Sequence, residues 1–93
     1  MPIEIHPERR EVSVNGSHVY LTSREFKLLT VLLSEHGTPL TPLQLHERVW
    51  GKSVSNSGKV VGVYISRLRK KLQCAGAPCR IITRRDLGYL WED

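Results

Sequence analysis

The residues with the clearest capacity for chemistry are the cations of residues 59–73, KVVGVYISRLRKKLQ. At about 100° per residue, the aliphatic side chains of this segment fall in one narrow sector and predict a core-facing stripe, with Tyr64 at its edge. The opposite side is cationic and includes no carboxylate. Solvated surface helices usually mix signs through Glu–Lys pairs, so this pattern favours a helix that is anchored by one face and reads DNA with the other. The stripe consists of Val61, Ile65, Leu68 and Leu72, and the outward side of Lys59, Val63, Ser66, Arg67 and Lys70, with Arg69 and Lys71 on the flanks.

The charge of the chain is divided unevenly along its length. The 93 residues, 40% hydrophobic, suit one compact domain with a net charge of +5. Residues 59–85 hold eight Lys or Arg and no acid, whereas the remainder holds six basic and nine acidic residues. A bipolar chain of this kind turns its basic side towards phosphates and its acidic side away from them. The charge pattern therefore favours nucleic acid as the partner.

Other chemistries find little support in the composition. No apolar run reaches the roughly 18 residues of a membrane span, and no charged-then-apolar leader is present, so we expect a cytoplasmic protein without a membrane partner. Cys74 and Cys79 could close a small disulfide loop, but a reducing compartment favours two free thiols. The histidines have no matched partners in the sequence, so we expect no metal, cofactor or catalytic set. They are His6, His18, His36 and His46.

Residues 1–21 predict a supporting antiparallel sheet. Ile3 and Ile5 alternate with polar residues and indicate a short strand that Pro7 ends. Asn15-Gly16 readily forms a two-residue type I′ turn, so residues 11–14 and 17–21 read as a hairpin. The side chains expected to face the core are Val12, Val14, Val19 and Leu21.

Residues 22–73 predict a core of three helices. Thr22 with Glu25 has capping-box spacing, and Gly37 supplies a stop, so the first helix should run to about residue 36. Its inward side chains are expected to be Phe26, Leu29, Leu32 and Leu33. Thr41 and Gln44 repeat the box and predict a second helix over residues 42–50, ended by Gly51. Residues 52–58 form a polar loop before the third helix.

Residues 80–91 predict a C-terminal hairpin. Residues 80–84 read as one strand, residues 85–88 as its turn and residues 89–91 as the returning strand. Its cations are Arg80, Arg84 and Arg85. Three helices followed by a basic hairpin indicate an α+β winged helix-turn-helix. The third helix would enter the major groove, and the wing would reach an adjacent groove or the backbone.

The outward residues of the third helix suit different contacts with a duplex. Arg67 could donate two hydrogen bonds to one guanine, to O6 and to N7, and such a contact is worth about 1–3 kcal/mol of discrimination against other bases. Lys59 and Lys70 suit phosphates, because an ammonium is a point charge. Val63 suits a thymine methyl group, and Ser66 a base or a phosphate.

Four segments carry a family resemblance: LTSREFKLL (21–29), LHERVWG (45–51), VYISRLRKKL (63–72) and ITRRDLGY (82–89). In this order they resemble the effector domain of OmpR/PhoB-type response regulators, over nearly the whole chain. The resemblance implies an N-terminal antiparallel sheet, three helices and a C-terminal wing. It places DNA contacts on Lys59, Val63, Tyr64, Ser66, Arg67, Arg69 and Lys70, and in the wing on Thr83 and Arg85, with Arg84 beside them. It also likens residues 50–58 to a segment that contacts RNA polymerase or DNA phosphates, here through Trp50 and Lys52.

The resemblance further implies a two-component system. Its receiver domain of roughly 120 residues, which a sensor kinase phosphorylates, finds no room in this chain. A fragment of a longer protein is favoured over a stand-alone member. The isolated domain is expected to be monomeric and to pair on tandem half-sites of double-stranded DNA.

Three positions depart from the family pattern. Gly62 replaces a usual Asp, and glycine inside a helix costs about 1 kcal/mol relative to Ala, so the third helix is expected to fray or start late. Ser66 replaces a longer polar residue and shortens any base contact there. Asp86 stands in the wing turn where Gly is common, although Asp tolerates the left-handed region.

Two other function classes stay open. A protein-interaction winged helix would bind an acidic partner, with Val63 and Tyr64 in an apolar patch. DNA binding differs from it by a steep salt dependence. RNA binding would need a platform of stacked aromatics, whereas most aromatic residues stand at core-like positions. The aromatic residues are Tyr20, Phe26, Trp50, Tyr64, Tyr89 and Trp91.

Overall fold

A computed structural model of the chain describes residues 3–51, 57–76 and 81–92. It begins with a three-stranded antiparallel sheet of β1 (Ile3–His6), β2 (Glu11–Val14) and β3 (Ser17–Val19), in that order, with a 3-10 turn (Pro7–Arg9) between the first two strands. Asn15 and Gly16 have φ angles of 50° and 85°, which confirms the predicted turn. Val12, Val14 and Val19 are buried, so the sheet packs one face on the core as expected. The predicted strand over residues 17–21 was too long, because β3 ends at Val19, and Leu21 is only partly buried.

The first helix, α1 (Ser23–Ser34), begins with the predicted capping box. Thr22 Oγ1 accepts a hydrogen bond from the Glu25 N–H at 3.2 Å, and the Glu25 carboxylate accepts one from the Thr22 N–H at 2.8 Å. The helix ends two residues before the predicted position, because Glu35 already leaves the helical conformation. Gly37 then takes φ 82° in the turn that follows.

The inward face of α1 differs from the sequence prediction. Leu29 and Leu32 are buried as expected, but Leu28 is buried with them, whereas Phe26 and Leu33 are only partly buried. The buried residues are Glu25, Leu28, Leu29 and Leu32. This set has the i, i+3, i+4, i+7 spacing of a single helical face. The prediction was wrong because one member of that face is acidic, and periodicity alone assigns an acid to the surface.

The other two helices form the rest of the core. Helix α2 (Pro42–Trp50) has the predicted bounds and the second capping box, and Gly51 follows it at φ 98°. Helix α3 (Ser57–Cys74) buries Val61, Ile65, Leu68 and Leu72 to 1% exposure or less, as predicted. It begins at Ser57, so the predicted loop over residues 52–58 was too long at its C-terminal end. It runs through Gly62 without a break, so the expectation that it would fray or start late was wrong.

The chain ends in a two-stranded antiparallel hairpin of β4 (Ile81–Arg84) and β5 (Gly88–Trp91), the wing. Asp86 takes φ 68° at its tip, the left-handed conformation that was expected to be tolerated there. Leu40 and Tyr89 exchange two backbone hydrogen bonds of 2.8 and 2.9 Å, so the segment before α2 lies along β5. Together these elements confirm the predicted winged helix-turn-helix. Among the described residues, no helix is long and apolar enough to cross a membrane.

Candidate nucleic-acid interface

The outward face of α3 is cationic and open to solvent. All five residues predicted for it are exposed, and Val63 retains 48% of its accessible surface. The buried stripe on the opposite side fixes the rotation of the helix, which brings these five side chains to the surface. They are Lys59, Val63, Ser66, Arg67 and Lys70. Two lysines and one arginine of this face offer N–H donors of the kind that contact phosphate oxygens.

Tyr64 and Trp50 are two adjacent rings with a cation at each end, an arrangement that we call the aromatic row. The guanidinium of Arg67 lies 5.3 Å from the Tyr64 ring centroid, and that ring meets Trp50 edge-on at 5.0 Å. Arg24 lies over the other ring of the pair, 5.6 Å from the centroid of Trp50. Both rings are half-buried, so they pack as well as face solvent. The contact with Tyr64 restricts the guanidinium of Arg67 and so reduces the conformational entropy that this side chain would lose on contacting a base.

His46 lies behind the row and was not singled out by the sequence. Its ring stacks on Trp50 at 5.2 Å and 10° between planes, and the residue is only 1% exposed. Its Nε2 has no hydrogen-bond partner within the part of the chain that the structure describes. A lone histidine in a polar-looking helix gives no sequence signal of burial, and only the packing of α2 shows it.

Arg69 joins α3 to the wing. Its guanidinium donates from Nε and Nη2 to the carbonyl oxygen of Ile81 at 3.3 and 3.0 Å, and from Nη2 to Thr83 Oγ1 at 2.8 Å. It also lies 5.9 Å from the ring centroid of Tyr89. These contacts within the protein give Arg69 and Thr83 a positioning role. Their predicted contacts with DNA stay predictions.

The wing places its other two predicted residues on the surface. Arg84 and Arg85 are both exposed. Arg84 donates to the Glu92 carboxylate at 3.0 Å, an exposed ion pair of small energy. Asp86 follows at the tip and reduces the positive potential there. The hairpin therefore presents two cations beside α3, one of them engaged by an acid of the same hairpin.

Lys71 forms an ion pair, although the sequence of α3 contains no carboxylate and suggested that its cations were unpaired. Its Nζ lies 2.6 Å from a carboxylate oxygen of Glu25 and also donates to the Tyr20 carbonyl at 3.1 Å. Burial alone would raise the pKa of Glu25. The hydrogen bonds from Lys71 and from the Thr22 N–H, with the charge of Lys71, more than offset this effect and hold the pKa below its usual value. Lys71 thus anchors α3 to α1, because its partner lies on a different element and is remote in sequence.

The described residues include a free thiol but no group of side chains that could hold a metal. No cluster of three His, Cys, Asp or Glu side chains that could hold a metal is found among the residues described. Cys74 is an exposed free thiol at the end of α3. The predictions for Lys52, Cys79 and Arg80 lie outside the described residues.

Comparison with known proteins identifies the class. Residues 16–91 match the family model described as "Transcriptional regulatory protein, C terminal". The chain belongs to this family, the effector domains of OmpR/PhoB-type response regulators, which confirms the resemblance seen in the sequence.

Individual relatives agree with this assignment. Sensory transduction protein RegX3 of Mycobacterium tuberculosis is 40% identical over 92 residues, which cover 98% of this chain and 40% of that protein. The chain thus spans about 40% of the length of that relative. The DNA-binding domain of Klebsiella pneumoniae RstA, solved in complex with the RstA box, is 34% identical with a TM-score of 0.86 over 99% of this chain and 92% of that chain. The AdeR DNA-binding domain, at 24% identity and a TM-score of 0.88 over 100% and 96% of the two chains, supports the fold alone.

Proposed function

We propose that this chain binds double-stranded DNA in a sequence-specific manner, as the effector domain of a two-component transcriptional regulator. The observation that carries the proposal is the exposed cationic face of α3, held outward by a fully buried aliphatic stripe and flanked by the basic wing. A helix of this kind fits a major groove about 12 Å wide. The likeness to the RstA DNA-binding domain, solved in complex with the RstA box, supports DNA binding.

The outward residues divide into base-reading and phosphate-binding groups. Arg67 is placed to bond guanine through its planar fork, and Val63 and Ser66 are short enough to let the helix approach base edges. Lys59 and Lys70 bind phosphates, which adds affinity but little sequence preference. Tyr64 contributes the rim of its ring beside Arg67. The wing adds contacts from Thr83, Arg84 and Arg85 to an adjacent groove or backbone.

Further partners follow from the class. We expect the isolated domain to be a cytoplasmic monomer that pairs on tandem half-sites. Within a longer protein, a receiver domain controlled by a sensor kinase would regulate it. RNA polymerase would contact the surface near Trp50 and Lys52. No catalytic role is proposed, because the matching family is one of transcriptional regulatory proteins.

Selection from a randomised duplex pool tests the function. Arg67→Ala should weaken the preferred site by about 1–3 kcal/mol and flatten preference at one base pair. Lys70→Ala is the matched control on the same face: it should weaken all sequences about equally and lower the slope of log K against log salt by about 0.9. Equal selectivity in wild type and Arg67→Ala would remove Arg67 from the readout.

Salt titrations of duplex binding also test a rival function, in which the basic face binds an acidic protein. The observation in its favour is the 48% exposure of Val63 among the cations, which leaves an apolar spot on that face. Duplex binding that falls steeply with salt supports the DNA proposal, whereas no complex with any duplex in dilute buffer overturns it.

A further inference from the structure

A second basic concavity lies outside α3, between the 3-10 turn (Pro7–Arg9) and the first half of α1. We call it the α1 cleft; its volume is about 440 Å³. Three cations and two hydroxyl groups line it together with apolar residues, and no carboxylate is among its lining residues. The lining residues are Pro7, Arg10, Ser23, Arg24, Phe26, Lys27, Thr30 and Val49.

The three cations of the α1 cleft keep hydrogen-bonding capacity for a ligand. Arg10 donates from Nη1 to Ser23 Oγ at 3.3 Å, and Arg24 donates from Nη1 to the carbonyl oxygen of Val49. Each guanidinium has five N–H donors, so most of them remain available. Lys27 is exposed and forms no ion pair with any residue that the structure describes. Three uncompensated cations around one concavity suit an anion with several acceptor oxygens.

The aromatic row links the α1 cleft to the face of α3. Arg24 lines the cleft and lies 5.6 Å from Trp50, which lies 5.0 Å from Tyr64, which lies 5.3 Å from Arg67. These distances limit the separation of the Arg24 and Arg67 guanidinium carbons to about 16 Å, which is comparable with a major groove about 12 Å wide. When Arg67 lies in the groove, Arg24 is therefore within reach of the backbone at its rim.

We propose that the α1 cleft binds phosphate groups of the DNA backbone beside the groove that α3 enters. This inference rests on the proposed function and extends its contact surface to Arg10, Arg24 and Lys27. The cleft would add affinity without sequence preference, since phosphates are the same at every position. An acidic protein segment is the other anion that the charges suit. DNA is favoured because the aromatic row connects Arg24, on one wall of the cleft, to Arg67 on the outward face of α3.

Salt titrations on two duplexes test the α1 cleft. One duplex carries the selected site with long flanks, and the other ends at the last base pair whose identity affects selection. On the long duplex, the double variant Arg10→Ala/Lys27→Ala should bind about three- to tenfold more weakly and lose about 0.9 from the salt slope for each phosphate released. On the trimmed duplex, which keeps the phosphates at the rim of the groove that α3 enters, the loss should persist. Arg24 is left intact because it also supports Val49 and Trp50.

Arg48→Ala is the matched control. Arg48 is an exposed cation whose ion pair with Glu35, 3.0 Å long, lies at the opposite end of α1. It should leave the salt slope unchanged. The cleft proposal is overturned if the double variant keeps the wild-type slope on the long duplex, which would leave an acidic protein as the occupant. It is also overturned if the control loses as much as the double variant, or if the loss appears only on the long duplex, which would place the contact away from the groove that α3 enters. Wild-type protein that binds no duplex overturns the proposed function instead.

Discussion

At the scale of single residues, the ion pair between Glu25 and Lys71 shows how a polar group can belong to the core. Glu25 is 1% exposed and accepts hydrogen bonds from the Thr22 N–H and from Lys71. A buried carboxylate without such partners would be protonated or would destabilise the fold. The pair therefore serves both the start of α1 and the attachment of α3 to it.

The charge of Glu25 should stabilise the domain above the usual glutamate pKa of about 4.3 and lose this effect on acidification. The sign follows from the lowered pKa of Glu25: the unfolded chain takes up the proton first as pH falls, and the folded chain only at lower pH. Glu25→Gln keeps the capping box but removes the charge, so at pH 7 it should lower the free energy of unfolding by about 1–3 kcal/mol. Urea unfolding between pH 7 and pH 3 measures this difference.

The difference between wild type and Glu25→Gln should shrink as pH falls below about 4.3. Lys71→Met is the companion variant, since it removes the other partner, and it should show the same convergence. A difference that stays constant from pH 7 to pH 3 would mean that the pair contributes nothing through charge.

At the scale of elements, Gly62 and Gly88 differ in whether the structure leaves room for a side chain. Gly88 begins β5 at φ 116°, and a Cβ there would lie 2.0 Å from the carbonyl oxygen of Leu40. Its place is set by the pairing of Leu40 with Tyr89, which leaves no room for a side chain. Gly62 is inside α3, where a Cβ would meet only the Tyr89 hydroxyl at 3.9 Å, an ordinary contact.

Alanine at these two positions should therefore change stability in opposite directions. Gly88→Ala should lower the free energy of unfolding by about 2–4 kcal/mol, because the backbone must move and the left-handed φ becomes strained. Gly62→Ala should raise it by up to about 1 kcal/mol through helix propensity. Chemical denaturation of the two variants and of wild type measures the free energies of unfolding. Changes of the same sign in both variants would contradict the structure at one of the two sites.

At the scale of the whole molecule, two contacts fix the position of the wing: Arg69 joins it to α3, and the Leu40–Tyr89 bridge joins it to the segment before α2. Neither contact is local in sequence. Arg69 reaches across to β4, and Leu40 precedes α2. The angle between the wing and α3 decides whether both can contact one duplex. We therefore expect Arg69 to affect DNA binding through the position of the wing.

A double-mutant cycle with Arg85 measures this coupling. If Arg69 positions the wing, Arg85→Ala should weaken duplex binding less in an Arg69→Ala background than in wild type, with an interaction energy of about 0.5–2 kcal/mol. Lys70→Ala replaces Arg69→Ala in the control cycle, which should be additive because, among the described residues, no hydrogen bond or ion pair joins Lys70 to the wing. Additive losses for Arg69 and Arg85 would reduce Arg69 to an independent contact.

The sequence by itself determined the elements and the outward face of α3. Capping boxes at Thr22 and Thr41, the Asn15-Gly16 turn and the stripe from Val61 to Leu72 are local signals, so they act before any tertiary contact forms. The family resemblance rests on the same short segments. Only the tertiary structure decided that Glu25 is buried against Lys71, that Arg69 holds the wing, and that Arg24 and Arg67 lie at two ends of one aromatic row. Each of these contacts joins residues remote in the chain, and a one-dimensional pattern of charge and hydrophobicity does not specify which remote side chains meet.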